Sequence, residues 1–345
     1  MRRALALLTV ALLVATGCSS GGGSQVGGDL VAIGAGLQGP SGTTARVYAT
    51  GVPAVSALAF DDQGRLWAAS AAYDDKGDDG IYLVQGGKAT KVTAAHTPLG
   101  LLWIGDTLFV AQKEAVVTYS GFDGTAFGSA TTVLTLPSGV GEVNGLALGA
   151  DGRIRLGISA PCDSCTPTNA LSGTVVSFAP DGTGLQVEAS GIRAPVGLAV
   201  RPATGALYVT MNQRDDLGAS TPGDWLSVVS TGQKWGFPAC YGQGGTACQG
   251  VPAPVAVLDP HAAVSGVALL TDQLGSSFRD VALVAEWAKG VVLAVHLDPA
   301  DGHAARVDTF LTGIKSPEPV AAVPGTGAGV VVGDWSSGTI YLVTA

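Results

Sequence analysis

One phrase returns six times along this chain: a short apolar strand containing Gly or Ala, a tight polar turn, and a second apolar strand. The copies begin near Ala57, Leu99, Asn144, Val196, Ser265 and Pro319. Measured on the second residue of each copy (Leu58, Gly100, Gly145, Gly197, Gly266 and Val320), the steps are 42, 45, 52, 69 and 54 residues. Short strands at a period of about 40–50 residues predict a β-propeller, one blade per repeat. The expected fold is all-β: a six-bladed β-propeller of four-stranded antiparallel blades. Its last strand, residues 338–345, has nothing after it to pair with. Residues 45–50 read as an outer strand ahead of the first blade. Pairing the two closes the ring and removes both exposed edges.

The chain has 345 residues, 51 of them glycine, and few charges, which suits many strands joined by tight turns. Its net charge is −9. No basic stripe is present, which argues against nucleic acid as a partner and against broad attraction to anionic lipid.

Residues 1–17 read as an export signal: Arg2 and Arg3, then twelve apolar-rich residues, too few to span a bilayer. The segment ends Ala15-Thr16-Gly17-Cys18, followed by a Ser/Gly run, and resembles a bacterial lipoprotein box. Cleavage before Cys18 would leave that thiol for lipidation. Residues 18–42 then form a Gly/Ser-rich tether and residues 43–345 the propeller. The expected product is exported, lipid-anchored at the bacterial cell envelope, touching membrane only through Cys18, and monomeric. An ordinary secreted protein with an incidental cysteine is the alternative. The other four cysteines form two close pairs, Cys162/Cys165 and Cys240/Cys248. Two local disulfides are the plain reading in an oxidising compartment. Half a metal site or a redox pair remains open for Cys162-Asp-Ser-Cys165.

Strand direction alternates within a blade. The loop entering each inner strand and the loop leaving each second strand therefore share one face. Those loops collect the polar residues: His96, Glu142, Arg193, His261 and Lys315 on entry, and Tyr73, Asn212, Gln213, Arg214, Asp215, Asp216, Trp287 and Trp335 on exit. The opposite face gets simple Asp-Gly turns. A functional site is expected on the polar mouth. Arg193 and Arg214 suit an anion or carboxylate. Asp215 and Asp216 suit calcium, with arginine–aspartate bracing of the loop as the alternative. Asp74-Asp-Lys-Gly-Asp-Asp79 is a second candidate calcium loop or a solvated one.

The stretch Gly191-Ile-Arg-Ala-Pro-Val-Gly-Leu-Ala, running on through Met211-Asn-Gln-Arg-Asp-Asp to Gly232-Gln-Lys-Trp-Gly-Phe-Pro, resembles the glucose/sorbosone dehydrogenase family. The likeness covers roughly residues 45–345. It implies a six-bladed propeller that uses pyrroloquinoline quinone (PQQ) and calcium to oxidise a sugar or related alcohol. It implies that Arg193 and Lys315 hold quinone carboxylates, with Asn212, Gln213, Arg214 and Trp287 around the cofactor. Asp215 and Asp216 would be metal ligands. The family's general-base histidine before the third blade is missing: Gly139-Val-Gly-Glu-Val-Asn-Gly145 offers Glu142 instead, and His261 or His96 is the other candidate base. Ala194 stands where the family has Asn. Three readings follow: an envelope-anchored, sorbosone-like sugar/aldose dehydrogenase; a non-catalytic propeller binding a carbohydrate, peptide or protein at the channel mouth; and a calcium-dependent hydrolase or lactonase.

Overall fold

The computed structural model describes residues 29–73, 79–242 and 246–345. The signal, Cys18 and most of the 74–79 loop lie outside the described residues. Among the described residues every regular element is a strand or a single 3-10 turn, and no helix is long and apolar enough to cross a membrane.

The strands assemble into six blades around an axis. Blade one runs Val55–Phe60, Leu66–Ser70, Gly80–Gln85 and Lys88–Ala94. Blade two runs Gly100–Ile104, Thr107–Gln112, Ala115–Ser120 and Ser129–Thr135. Blade three runs Val143–Leu148, Ile154–Ile158, Thr174–Phe178 and Gln186–Ser190. Blade four runs Ala194–Val200, Leu207–Asn212, Gly223–Val229 and Ala256–Pro260. Blade five runs Val264–Leu270, Val281–Glu286, Val291–Leu297 and Ala304–Thr312. Blade six takes three strands from the C-terminus, Pro317–Ala322, Val330–Asp334 and Thr339–Thr344, and borrows Thr44–Thr50 from the N-terminus. The borrowed strand pairs antiparallel with the last one, Ala49 opposite Ile340 and Ala45 opposite Val343. This is the closure expected from the sequence.

Middle strands are buried on both faces, so they read as continuous apolar runs rather than alternating ones. Leu66–Ser70 and Val281–Glu286 are buried throughout. The core falls into six clusters, one for each seam between adjoining blades. The repeat's glycine is a packing requirement. A Cβ at Gly100 would stand 2.5 Å from the carbonyl oxygen of Asn144, at Gly145 2.7 Å from that of Val196, and at Gly266 2.5 Å from that of Glu318. Inner strands of neighbouring blades meet backbone to backbone there, and no side chain fits between them.

Two segments depart from the sequence reading. Residues 31–39, assigned above to the tether, form a hairpin, Val31–Gly34 with Leu37–Gly39, that joins the outer strand of blade five at Thr312. Ile33 and Leu37 bury against Phe310 and Leu311, and burying two such side chains is worth about 1.5–3 kcal/mol each. The excursion in blade four is more ordered than its composition suggests. Gln233–Lys234 pairs parallel with the outer strand of blade three, and Trp235 packs on Trp225 at 5.8 Å. Both expected disulfides are present, Cys162–Cys165 and Cys240–Cys248.

Candidate functional site at the channel mouth

In blades one and three to six the inner strand slips register near its start, for example between Val143 and Leu146 and between Pro317 and Val320. A bulge frees residues from the ladder and re-aims their side chains. Ser56, Asn144, Val196, Ser265 and Glu318 fall in these bulges and line the axial channel.

Above the channel lie two cavities. The first, about 480 Å³, is polar and lies over blades two to four, with Thr97, Lys113, Glu114, Glu142, Asp163 and Arg193 in its wall. The second, about 360 Å³, lies over blades four to six and is walled by Asn212, Ser265, Trp287, Glu318 and Trp335. Trp287 and Trp335 meet edge to face at 5.7 Å, and the Trp335 indole N–H donates to the Ala71 carbonyl at 3.0 Å, tying blade six to blade one. Tyr73 and Glu142 line both cavities. The loops from both strand ends do converge on one mouth.

Arg193 is the guanidinium of the polar cavity. Its Nη2 lies 2.9 Å from Asp163 Oδ1 and 3.9 Å from Asp215 Oδ2, while its Nε is buried with no partner. Asp163 also accepts the backbone N–H of Asp215 at 2.9 Å. Asp163 sits in the four-residue loop closed by Cys162–Cys165, and Cys162 itself lines the cavity. So short a loop constrains the unfolded chain little, so the bridge acts locally, holding Asp163 against Arg193 and the 212–216 loop. A Cys162→Ser/Cys165→Ser protein should keep its melting temperature within a few degrees. Its Asp215 amide should exchange with solvent roughly tenfold faster by hydrogen-exchange mass spectrometry. Unchanged exchange would remove the clamp.

The other expected site residues divide. Glu142 and Arg193 meet in the polar cavity; Asn212 and Trp287 line the tryptophan cavity, where Asn212 Oδ1 is buried and unpartnered. Gln213 is buried, its backbone N–H given to Asp224 at 2.7 Å. Arg214 turns away from the mouth: it grips Asp216 with two bonds of 2.7 Å, donates to the Pro238 carbonyl and lies over the Tyr241 ring. The Arg214 hydrogen bond pulls the Asp216 carboxyl down to about 2. Lys315 is exposed and lines neither cavity. His261 spends both ring nitrogens on the loop, Nε2 on the Gly218 carbonyl at 3.1 Å and Nδ1 on Asp215 at 2.8 Å, and these bonds raise its pKa. Asp215 and Asp216 thus answer to His261, Arg193 and Arg214. Among the described residues no group of three or more His, Cys, Asp or Glu is placed to hold a metal ion.

Sequence reading passed over Asp224, and it placed Glu286 in an exit loop of the mouth where the structure buries it in a strand. Asp224 anchors the Gln213 and Val264 amides, and burial raises its pKa to about 6. Glu286, fully buried behind Trp287, is pushed by burial to about 8. Its folded pKa lies above the ordinary 4.5, so it favours the folded state at low pH and loses that contribution as pH rises toward 8. Glu286→Gln should therefore match wild type in urea unfolding near pH 5 and exceed it near pH 9 by on the order of 2 kcal/mol. Parallel pH profiles would refute a neutral Glu286. The signal for such residues was an acid inside an otherwise apolar strand.

No family model and no curated protein matches this chain. Solved structures do. An aldose sugar dehydrogenase from Streptomyces coelicolor in its PQQ-bound form superposes with a TM-score of 0.68 at 20% identity, over 88% of this chain and 99% of that one. The PQQ domain of a pyranose dehydrogenase from Coprinopsis cinerea gives 0.72 at 12% identity, over 90% and 97%. A Trichoderma reesei carbohydrate-active enzyme of family AA12 gives 0.75 at 14%, over 92% and 100%. In fold, then, this chain is a six-bladed β-propeller similar to PQQ-dependent sugar dehydrogenases.

Proposed function

We propose that the protein is a sugar oxidoreductase that oxidises an aldose or related alcohol at the channel mouth with PQQ. The observation that carries this is the meeting of two unlike cavities at Glu142 and Tyr73, one polar enough for a sugar and one walled by tryptophan for a planar ring. The fold likeness supports it. The residues present fit such a cofactor at named points. Trp287 offers an aromatic wall, Arg193 has a buried donor without a partner, and Asn212 has a buried acceptor without one. Asp215 and Asp216 are engaged by His261, Arg193 and Arg214 and form no cage among the described residues, so the reading uses neither as a ligand. Bound there, the quinone would supply the hydride acceptor. Glu142 takes the proton of the sugar hydroxyl, since it is the acidic residue that lines both cavities. Arg193, held by Asp163 in the wall of the polar cavity, would take a cofactor carboxylate that reaches across from the adjoining tryptophan cavity, and Lys113 and Glu114 bound the sugar side. Anchoring to the bacterial envelope through Cys18 belongs to the same proposal and rests on the sequence alone; a Cys18→Ala chain would lose lipid labelling in cells.

The test is reconstitution of the purified protein with PQQ, with and without Ca²⁺, followed by dye reduction across a panel of aldoses. Sugar-dependent reduction supports the reading; neither binding nor reduction sinks it. The Glu at position 142, where the family has its His, favours a second reading. That reading is a propeller that binds a carbohydrate at this mouth without oxidising it, and it predicts sugar binding that needs no quinone and survives chelation.

A further inference from the structure

The floor of the mouth holds a carboxyl group that this chemistry does not use. Glu318 leaves the ladder at the bulge between Pro317 and Val320, is 7% exposed, and lines both the axial channel and the tryptophan cavity. The Tyr73 hydroxyl donates to its Oε1 at 3.0 Å. Tyr73 is 47% exposed, so its ring opens on the mouth while its hydroxyl reaches down to a buried partner. The Ser265 hydroxyl fixes the Glu318 carbonyl at 3.0 Å. Among the described residues no ion pair joins a cation to Glu318. The titratable groups acting on it are Tyr73 and Glu142, and Asp79 acts in turn on Tyr73. A carboxylate at this point would be stripped of water and repelled by Glu142. Burial accordingly pushes Glu318 up to about 8, against the Tyr73 bond that lowers it. In its protonated form the group carries an O–H donor of its own.

We propose that Glu318 is a hydrogen-bond donor to the tryptophan cavity. It offers its carboxylic O–H to a carbonyl or carboxylate oxygen of the planar group seated there, and Tyr73 acts as the positioning residue that orients it. The proposal rests on the quinone reading for the occupant. A protonated Glu318 also adds no negative charge beneath an anionic occupant, and the repulsion there grows when Glu318 ionises.

Titration calorimetry of PQQ into the purified full chain between about pH 7 and pH 9 tests this. Wild type should lose about tenfold in affinity across that range as the donor becomes an anion. Glu318→Gln, uncharged and still a donor, should stay within about threefold of wild type near pH 7 and show no loss by pH 9. Glu318→Ala should be weakened about tenfold at both. A flat wild-type profile overturns the proposal, and so does a loss that persists in Glu318→Gln, which would point to Glu286 or Tyr73. Infrared difference spectra supply a readout without catalysis. A protonated-carboxyl band present in wild type and missing in Glu318→Gln should shift when PQQ is added; a missing band, or one that ignores bound PQQ, also overturns it. If PQQ binds at no pH, the quinone reading fails and takes the donor role with it. The band then still reports whether Glu318 is held as an acid.

Discussion

Gly197→Ala should cost the ring about 3 kcal/mol or more, enough to leave much of the protein unfolded at 37 °C. The new methyl group would run into the Ser265 carbonyl oxygen and stand 2.9 Å from the Val267 amide, both on the inner strand of the next blade. Neither is a flexible side chain that can swing aside. The same contact carries a relay: the Thr210 hydroxyl accepts the Gly197 N–H at 2.7 Å and donates to the Ser265 carbonyl at 2.7 Å. Pushing blades four and five apart would break both bonds as well as crowd the backbone. Ala57 follows Ser56 in the blade-one bulge as Gly197 follows Val196 in blade four, so a methyl group is already accommodated there, and Ala57→Gly should cost less. Urea unfolding followed by circular dichroism gives both numbers. A Gly197→Ala protein within about 1 kcal/mol of wild type would mean that the blades yield where the structure shows them in contact.

Arg193→Ala should weaken PQQ binding by about thirtyfold or more, roughly 2 kcal/mol, with little change in melting temperature. Two effects add. The polar cavity, which meets the tryptophan cavity at Glu142 and Tyr73, loses the one guanidinium among its lining residues, whose buried Nε has no partner. Asp163, deprived of its cation, then adds an uncompensated negative charge to the same wall. Arg193→Lys should recover part of the loss, since it restores charge without the forked geometry. Calorimetry at fixed ionic strength decides it. Equal affinities for all three proteins would detach Arg193 from the ligand and leave it as a brace for the 212–216 loop.

Much of the architecture could be read without coordinates. The 42- to 69-residue recurrence, the unpartnered last strand and the paired cysteines each encode a local or nearest-neighbour fact, and each reappears as a blade, a closure and a bridge. The hairpin at 31–39 was hidden because only Ile33 and Leu37 carry its burial, within a glycine-rich stretch that reads as a tether. The fourth strand of blade four, Ala256–Pro260, was hidden behind the excursion that precedes it.

The site was legible by face and only partly by residue. Strand alternation alone placed Glu142, Arg193, Asn212 and Trp287 on one mouth, and they do line it. It could not say where long side chains turn. Arg214 follows Asn212 by two residues yet swings out to Asp216 and Tyr241, because its own loop offers a carboxylate and the excursion offers a carbonyl and a ring. His261 is consumed by Gly218 and Asp215. Glu318 and Tyr73, 245 residues apart, become partners only when the ring closes blade six onto blade one.

By itself the sequence determined the period, hence the number of blades, the glycines that let inner strands touch, and the direction in which polar loops point. Those are properties of strand geometry and of one residue at a time. Only the tertiary structure decided which charges neutralise one another, which polar atoms are left buried and unpaired, and which carboxyl groups keep their protons. Those depend on distance and desolvation between residues from different blades, and the ring sets both.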